Sequence, residues 1–142
     1  MLKRILSHKA RIFVLLAVIS TLLIACGKKE ESADKIRELD FTVIGADEQP
    51  DELKEIIAEK EKEPFQISYT LGGDLYIAIG YGEQKSGGYS ITVDEFYEGD
   101  AILYIDTTLL GPGSAENVTD VLTYPYIVIK TQNIEDKPIE FH

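Results

Sequence analysis

Between residues 65 and 81 the sequence alternates so regularly between apolar and polar positions that β-strands are the structure able to use it. Phe65, Ile67, Tyr69 and Leu71 share one side of a period-two repeat, and Gln66, Ser68 and Thr70 share the other. Gly72-Gly73-Asp74 then supplies a tight turn that accepts positive φ. The next run sets Leu75, Ile77, Ile79 and Tyr81 against Tyr76, Ala78 and Gly80. Gly80 and Gly82 leave room for close backbone approach or a bulge.

The rest of the chain supports the same class. Residues 89–93 alternate again, and residues 101–110 follow the turn Glu98-Gly99-Asp100 as a hairpin partner. Gly111-Pro112-Gly113-Ser114 breaks the sheet, a polar stretch runs to Thr123, and residues 127–131 make a last strand. Residues 39–45 read as a first short strand. One helix is expected after Pro50: Asp51 and Glu52 face the positive end of its dipole, Leu53, Ile56 and Ile57 form its apolar stripe, and Pro64 blocks continuation. Six strands and one helix without a βαβ rhythm predict an α+β, mainly β, domain over residues 39–142. Its antiparallel sheet is expected to carry the helix on one face or end.

A single cysteine rules out an internal disulfide framework, so this domain folds by burial alone. Cys26 sits instead at the end of a segment with the layout of a secretory signal. Lys3, Arg4, Lys9 and Arg11 precede an apolar run over residues 12–25, which is short against the roughly 20 residues that span a bilayer. The run closes as Leu23-Ile24-Ala25-Cys26-Gly27, which resembles the lipobox of bacterial lipoproteins: aliphatic, tolerant, small, cysteine. The thiol is the group there nucleophilic enough to take a diacylglyceryl unit as a thioether, and Ala25 is small enough for cleavage behind it. Residues 1–25 are therefore expected to be a lipoprotein signal peptide. Residues 26–38 are expected to be a lipidated cysteine with a charged, solvated tether, holding the domain on the extracytoplasmic face of the cell membrane.

Charge and residue chemistry narrow the function. All 25 acidic residues lie outside the leader while ten of the 14 basic ones do, so residues 26–142 carry a formal −15, a surface that repels nucleic acid. Once the leader is removed, the remaining histidine is His142 and the thiol is acylated, so no Ser-His or Cys-His pair can be assembled. Ser86 beside Lys85 is a weak Ser-Lys pair. Asp94, Glu95, Glu98 and Asp100 would hold calcium weakly, but such runs are more often solvated turns that protect an edge. Asn117-Val118-Thr119 fits a glycosylation sequon by chance, and Gly87-Gly88 precedes a strand, not the helix of a phosphate loop. No catalytic residues, metal or cofactor are expected. Eight tyrosines are the surplus; most suit half-buried sheet faces, and exposed ones are common binding anchors.

Three blocks together resemble the PrcB C-terminal domain family: Ser86-Gly87-Gly88-Tyr89-Ser90-Ile91, then Gly111-Pro112-Gly113, then Thr123-Tyr124-Pro125-Tyr126-Ile127-Val128-Ile129. The resemblance extends over residues 65–131. It implies a non-catalytic protein that stabilises or assembles a surface protease or envelope complex, with no catalytic residues to carry over. The contact surface is then expected at Gly87, Gly88, Tyr89, Gly111, Pro112, Gly113, Tyr124, Pro125 and Tyr126. Gly87 and Gly88 let a loop join a strand at an unusual backbone angle, and Pro112 and Pro125 remove amide donors where the ladder should end. Two other readings remain open here. One is a small β-domain protease inhibitor of the chagasin kind, using residues 83–88 and 111–114 as its loops. The other is a solute- or envelope-binding lipoprotein.

Overall fold

Too much apolar surface lies on both sides of the strands for one ten-residue helix to cover. A computed structural model describes residues 34–114, 117–134 and 137–142. The signal segment, Cys26 and the first part of the expected tether lie outside them. Along the described chain run β1 (Lys35–Glu38), β2 (Thr42–Val43), α1 (Asp51–Lys60), β3 (Pro64–Leu71), β4 (Asp74–Tyr81), β5 (Ser90–Gly99), β6 (Leu103–Leu110), β7 (Tyr126–Gln132) and β8 (Ile139–Phe141). They form two four-stranded sheets: an outer sheet in the order β1-β5-β6-β8 and a central sheet in the order β2-β7-β4-β3.

The mainly β class with one helix holds, and the single six-stranded sheet is corrected to two. Leu75, Ile77 and Ile79 of β4 and Ile127 and Ile129 of β7 pack against Phe96 of β5 and Leu103 and Ile105 of β6. On the other face, Tyr76, Ala78, Val128 and Phe65 pack with Leu53 and Ile57 of α1. The central sheet is thus covered twice, and Asp74–Tyr81 is buried nearly throughout. Each Leu or Ile so buried contributes ~1.5–3 kcal/mol of transfer free energy.

The expected first strand over residues 39–45 shrinks to β2, because the chain changes sheets just before it. β1 pairs with β5, whereas β2 pairs with β7. Between them Leu39 enters the core between the sheets, its N–H donating to Phe96 O at 3.1 Å, and Phe41 sets its ring edge-on to Phe96 at 5.8 Å. Thr131 Oγ1 donates to Asp40 O at 2.8 Å and pins the crossing to β7. Lys35–Glu38, expected as the end of the tether, is a strand; all four residues are exposed, so no apolar alternation marks it. β8 also escapes periodicity because it has three residues, and it pairs with β6 in parallel.

Local chemistry explains the connections. Gly72 and Gly73 have φ of 61° and 89°, the two successive left-handed residues that a two-residue hairpin needs between β3 and β4. Pro50 occupies the position before α1 without a capping side-chain hydrogen bond, and Asp51 and Glu52 fill its first turn and Lys60 its last, as the dipole favours. β5 runs on to Gly99, with a register shift between Val93 and Glu95, so Asp94, Glu95 and Glu98 lie along a strand and Asp100 in the bend after it. At one end of the sandwich Tyr81 Oη donates to Thr107 O at 2.7 Å, joining β4 to β6.

Candidate functional site

Three chain segments meet where β4 leaves the central sheet and β5 enters the outer one. Gly88 is the crossing point. Its φ is 85°, and a Cβ added there would stand 2.8 Å from Val118 Cγ1 and 3.0 Å from Pro112 Cβ. Only glycine gives both the backbone angle and the space. Gly87 N–H donates to Thr119 O at 3.0 Å, and Thr123 Oγ1 donates to Ser86 O at 2.7 Å. Gln84 and Thr123 exchange backbone hydrogen bonds of 2.8 and 2.9 Å, an isolated antiparallel bridge outside both sheets. The loop that follows β4 and the stretch that precedes β7 are therefore tied along their lengths.

Most of the residues expected at a contact surface come together here. Gly111 lies against the Tyr89 ring, where a Cβ would meet Tyr89 Cε1 at 3.5 Å. Pro112 packs on Gly88, and Gly113 is exposed beside it. Pro125 O accepts from Tyr81 N–H at 3.1 Å, so this proline extends the β4–β7 contact through its carbonyl. Tyr124 Oη reaches Glu83 Oε2 at 3.4 Å. Burial, then the neighbouring Glu83 carboxylate, raises the Tyr124 pKa above the ordinary tyrosine value, so the phenol remains a neutral donor. Tyr126 differs from the rest: it packs against the helix-side core, its ring 6.4 Å from that of Phe65.

The stretch read as polar carries apolar residues that period counting missed. Val118, Val121 and Leu122 there are 39%, 60% and 52% exposed, Leu110 at the end of β6 is 45% exposed, and all four flank the same junction along the chain. A second overlooked feature is an aromatic stack across the outer sheet, where Tyr97 and Tyr104 lie 4.7 Å apart and Tyr104 and His142 4.8 Å apart. The terminal histidine thus joins a packing column and pairs with Glu140 at 2.9 Å.

The arrangement offers contact area and hydrogen-bonding backbone at this end. Ser86 Oγ donates to Gly87 O at 3.2 Å, an interaction within its own loop, not one with Lys85. Of the acids weighed for calcium, Asp94 accepts from Thr92 and Thr108, and Glu98 is held by Arg37 and Lys137. Among the described residues no group of three or more His, Cys, Asp or Glu side chains is placed to hold a metal ion. Among the same residues no helix is long and apolar enough to cross a membrane. Cys26, the expected lipidation site, lies outside them.

Compared with known families, the segment that builds this junction is similar to one: residues 75–132, from β4 to β7, match the model described as PrcB C-terminal. The match covers all three sequence blocks and the whole region on which the resemblance rested except residues 65–74. No curated protein and no solved structure matches the chain.

Proposed function

From a chain whose residues 75–132 carry a PrcB C-terminal segment, we propose a non-catalytic protein-binding module, held outside the cell membrane by lipid on Cys26. Its partner on this reading is a surface protease or envelope complex, which the module stabilises or assembles. The observation that carries the binding role is the junction at Gly88. Three segments are fixed there by close packing and backbone hydrogen bonds, yet Leu110, Val118, Val121 and Leu122 remain exposed around them. Holding apolar side chains in water on a tied-down loop contributes nothing to folding; a partner that covers them gains the transfer energy. Tyr89, Tyr124 and the Gly111-Pro112-Gly113 turn supply the rigid polar and apolar rim.

The lipid anchor is supported by the leader's basic flank, short apolar run and Leu23-Ile24-Ala25-Cys26 ending. Two acyl chains hold a protein stably at a bilayer, which one does not. Cys26→Ser is expected to leave the leader uncleaved and free of labelled palmitate; normal maturation and labelling of that variant would sink the anchor assignment.

The binding role is tested by crosslinking in the native envelope, comparing the wild type with Val121→Asp and Leu122→Asp. Loss of a discrete crosslinked species at unchanged melting temperature is the expected result. Retention of every crosslink removes the loop end as the contact surface. Inhibition of envelope proteases by the isolated chain would replace the stabilising role with an inhibitory one.

A further inference from the structure

The described sheets have four free edges, and three are guarded against pairing. β1 carries Lys35, Arg37 and Glu38, and its register against β5 slips between Lys35 and Arg37. β2 has two residues, and β8 has three, Glu140 among them. Charge, irregularity and brevity are the devices that keep a sheet edge from recruiting another strand. β3 has none of them. It is eight residues long, uncharged, and in unbroken register with β4. Its proline, Pro64, occupies the first position and leaves the rest of the edge able to donate.

Alternation identifies the free backbone groups. Tyr81 N–H donates to Pro125 O and Asn133 N–H donates to Gly73 O, so the odd residues of β4 face β7 and the even ones face β3. Their partners Phe65, Ile67, Tyr69 and Leu71 therefore direct their N–H and C=O groups to β4. Gln66, Ser68 and Thr70 turn theirs to the open edge.

Space and charge beside this edge specify what suits it. Gln66, Ser68 and Thr70 border two clefts of about 510 and 540 Å³, which Ile79, Leu75 and Ile139 also line. On the other face of the sheet Tyr69 Oη donates to Glu52, which sets that flank of α1 above β3. Helical spacing puts Glu55 and Glu59 on the flank of Glu52, all three exposed, while Lys54 pairs with Asp51 on the opposite flank.

We propose that β3 is a docking edge, at which an extended segment of a partner protein with basic side chains at alternate positions adds to the central sheet. Its backbone bonds Gln66, Ser68 and Thr70. Its basic side chains meet Glu52, Glu55 and Glu59, and the intervening ones enter the clefts. A second copy suits the edge less well, because antiparallel β3–β3 pairing sets two acidic α1 flanks side by side and β3 has no basic residue to answer them. The bonding residues Gln66, Ser68 and Thr70 and the acidic flank of α1 lie outside residues 75–132 and away from the loop end, with Leu75 and Ile79 only lining the clefts, so the edge stands or falls independently of the proposed function.

The test titrates the isotope-labelled full-length chain with a short peptide of alternating lysine and valine, and with the same peptide carrying glutamate for lysine. The lysine peptide is expected to protect the amides of Gln66, Ser68 and Thr70 from hydrogen exchange, and the glutamate peptide to bind about tenfold more weakly or worse. Ser68→Pro removes one outward N–H while sparing the β3–β4 ladder, and should weaken the lysine peptide about tenfold at unchanged melting temperature. Should that variant be destabilised, lysine peptide N-methylated on its alternate amides replaces it and should lose binding to the same extent. Unprotected amides in the presence of lysine peptide, or equal binding of the glutamate peptide, overturns the proposal. So does protection of the same amides in a peptide-free dimer, which would make the occupant a second copy.

Discussion

The central and outer sheets have four strands each and opposite surroundings. The central sheet is covered by α1 on one face and by the outer sheet on the other, so β4 and β7 are apolar on both sides. The outer sheet is covered once, and its free face is held by side-chain pairs: the Tyr97–Tyr104–His142 stack, Lys35 above the Tyr97 ring at 5.3 Å, and Asp94 between two threonines. Burial on two faces sums many dispersion contacts, whereas stacks and ion pairs in water are worth little each. The difference teaches that stability concentrates in the central sheet, while the outer sheet's free face is open to change.

That contrast can be broken by substitution. The largest effect is expected at Ile77, wholly buried at the middle of β4: Ile77→Ala should lose about 2–5 kcal/mol, read by denaturant unfolding. Next comes Gly80→Ala. An added Cβ would stand 2.2 Å from Phe65 Cε1, inside the helix-side core, so a loss of about 1–3 kcal/mol is expected by the same measurement. Tyr104→Leu keeps apolar area on the outer face but removes the ring from its stack, and should cost only ~0.5–1.5 kcal/mol. If it costs as much as Ile77→Ala, the two sheets are equals and the contrast fails.

The smallest effect sharpens the comparison through pH. Glu98 accepts from Lys137 Nζ at 2.7 Å and from Arg37 Nε at 2.6 Å, and these bonds, Lys137 first, lower its pKa below the ordinary glutamate value. Its contribution is therefore complete above the unfolded glutamate pKa of about 4.3 and is lost as pH falls through the lower folded value. Glu98→Gln should flatten that part of the acid limb and barely move the neutral melting temperature. An unchanged acid limb would show that the two cations do not couple Glu98 to folding.

Much of the fold was legible because period-two patterning is local. The long strands from residue 64 to residue 110 and the last-but-one strand follow alternation that two neighbours and a turn suffice to impose, and α1 follows its narrow stripe and its flanking prolines. The loop residues around Gly88 were legible too, since a left-handed glycine and a donor-free proline mark a place where ladders end. Leu110, Val118, Val121 and Leu122 were not, because exposure depends on what else covers a side chain. Tyr126 shows the same gap: one residue from Pro125, it packs on the helix-side core.

The sequence by itself determined where the long strands and the helix lie, that a single cysteine allows no internal disulfide, and that residues 26–142 carry a formal −15. It could not determine that the strands divide between two sheets, since apolar residues on both sides of β4 are satisfied equally by a helix or by a second sheet. Tertiary structure decided that division, the crossing of Leu39 and Phe41 between sheets, and the parallel seat of β8 on β6. It also decided which edges remain open. The physical reason is range: alternation and turn chemistry act within a few residues, whereas burial and edge pairing are settled between residues dozens of positions apart.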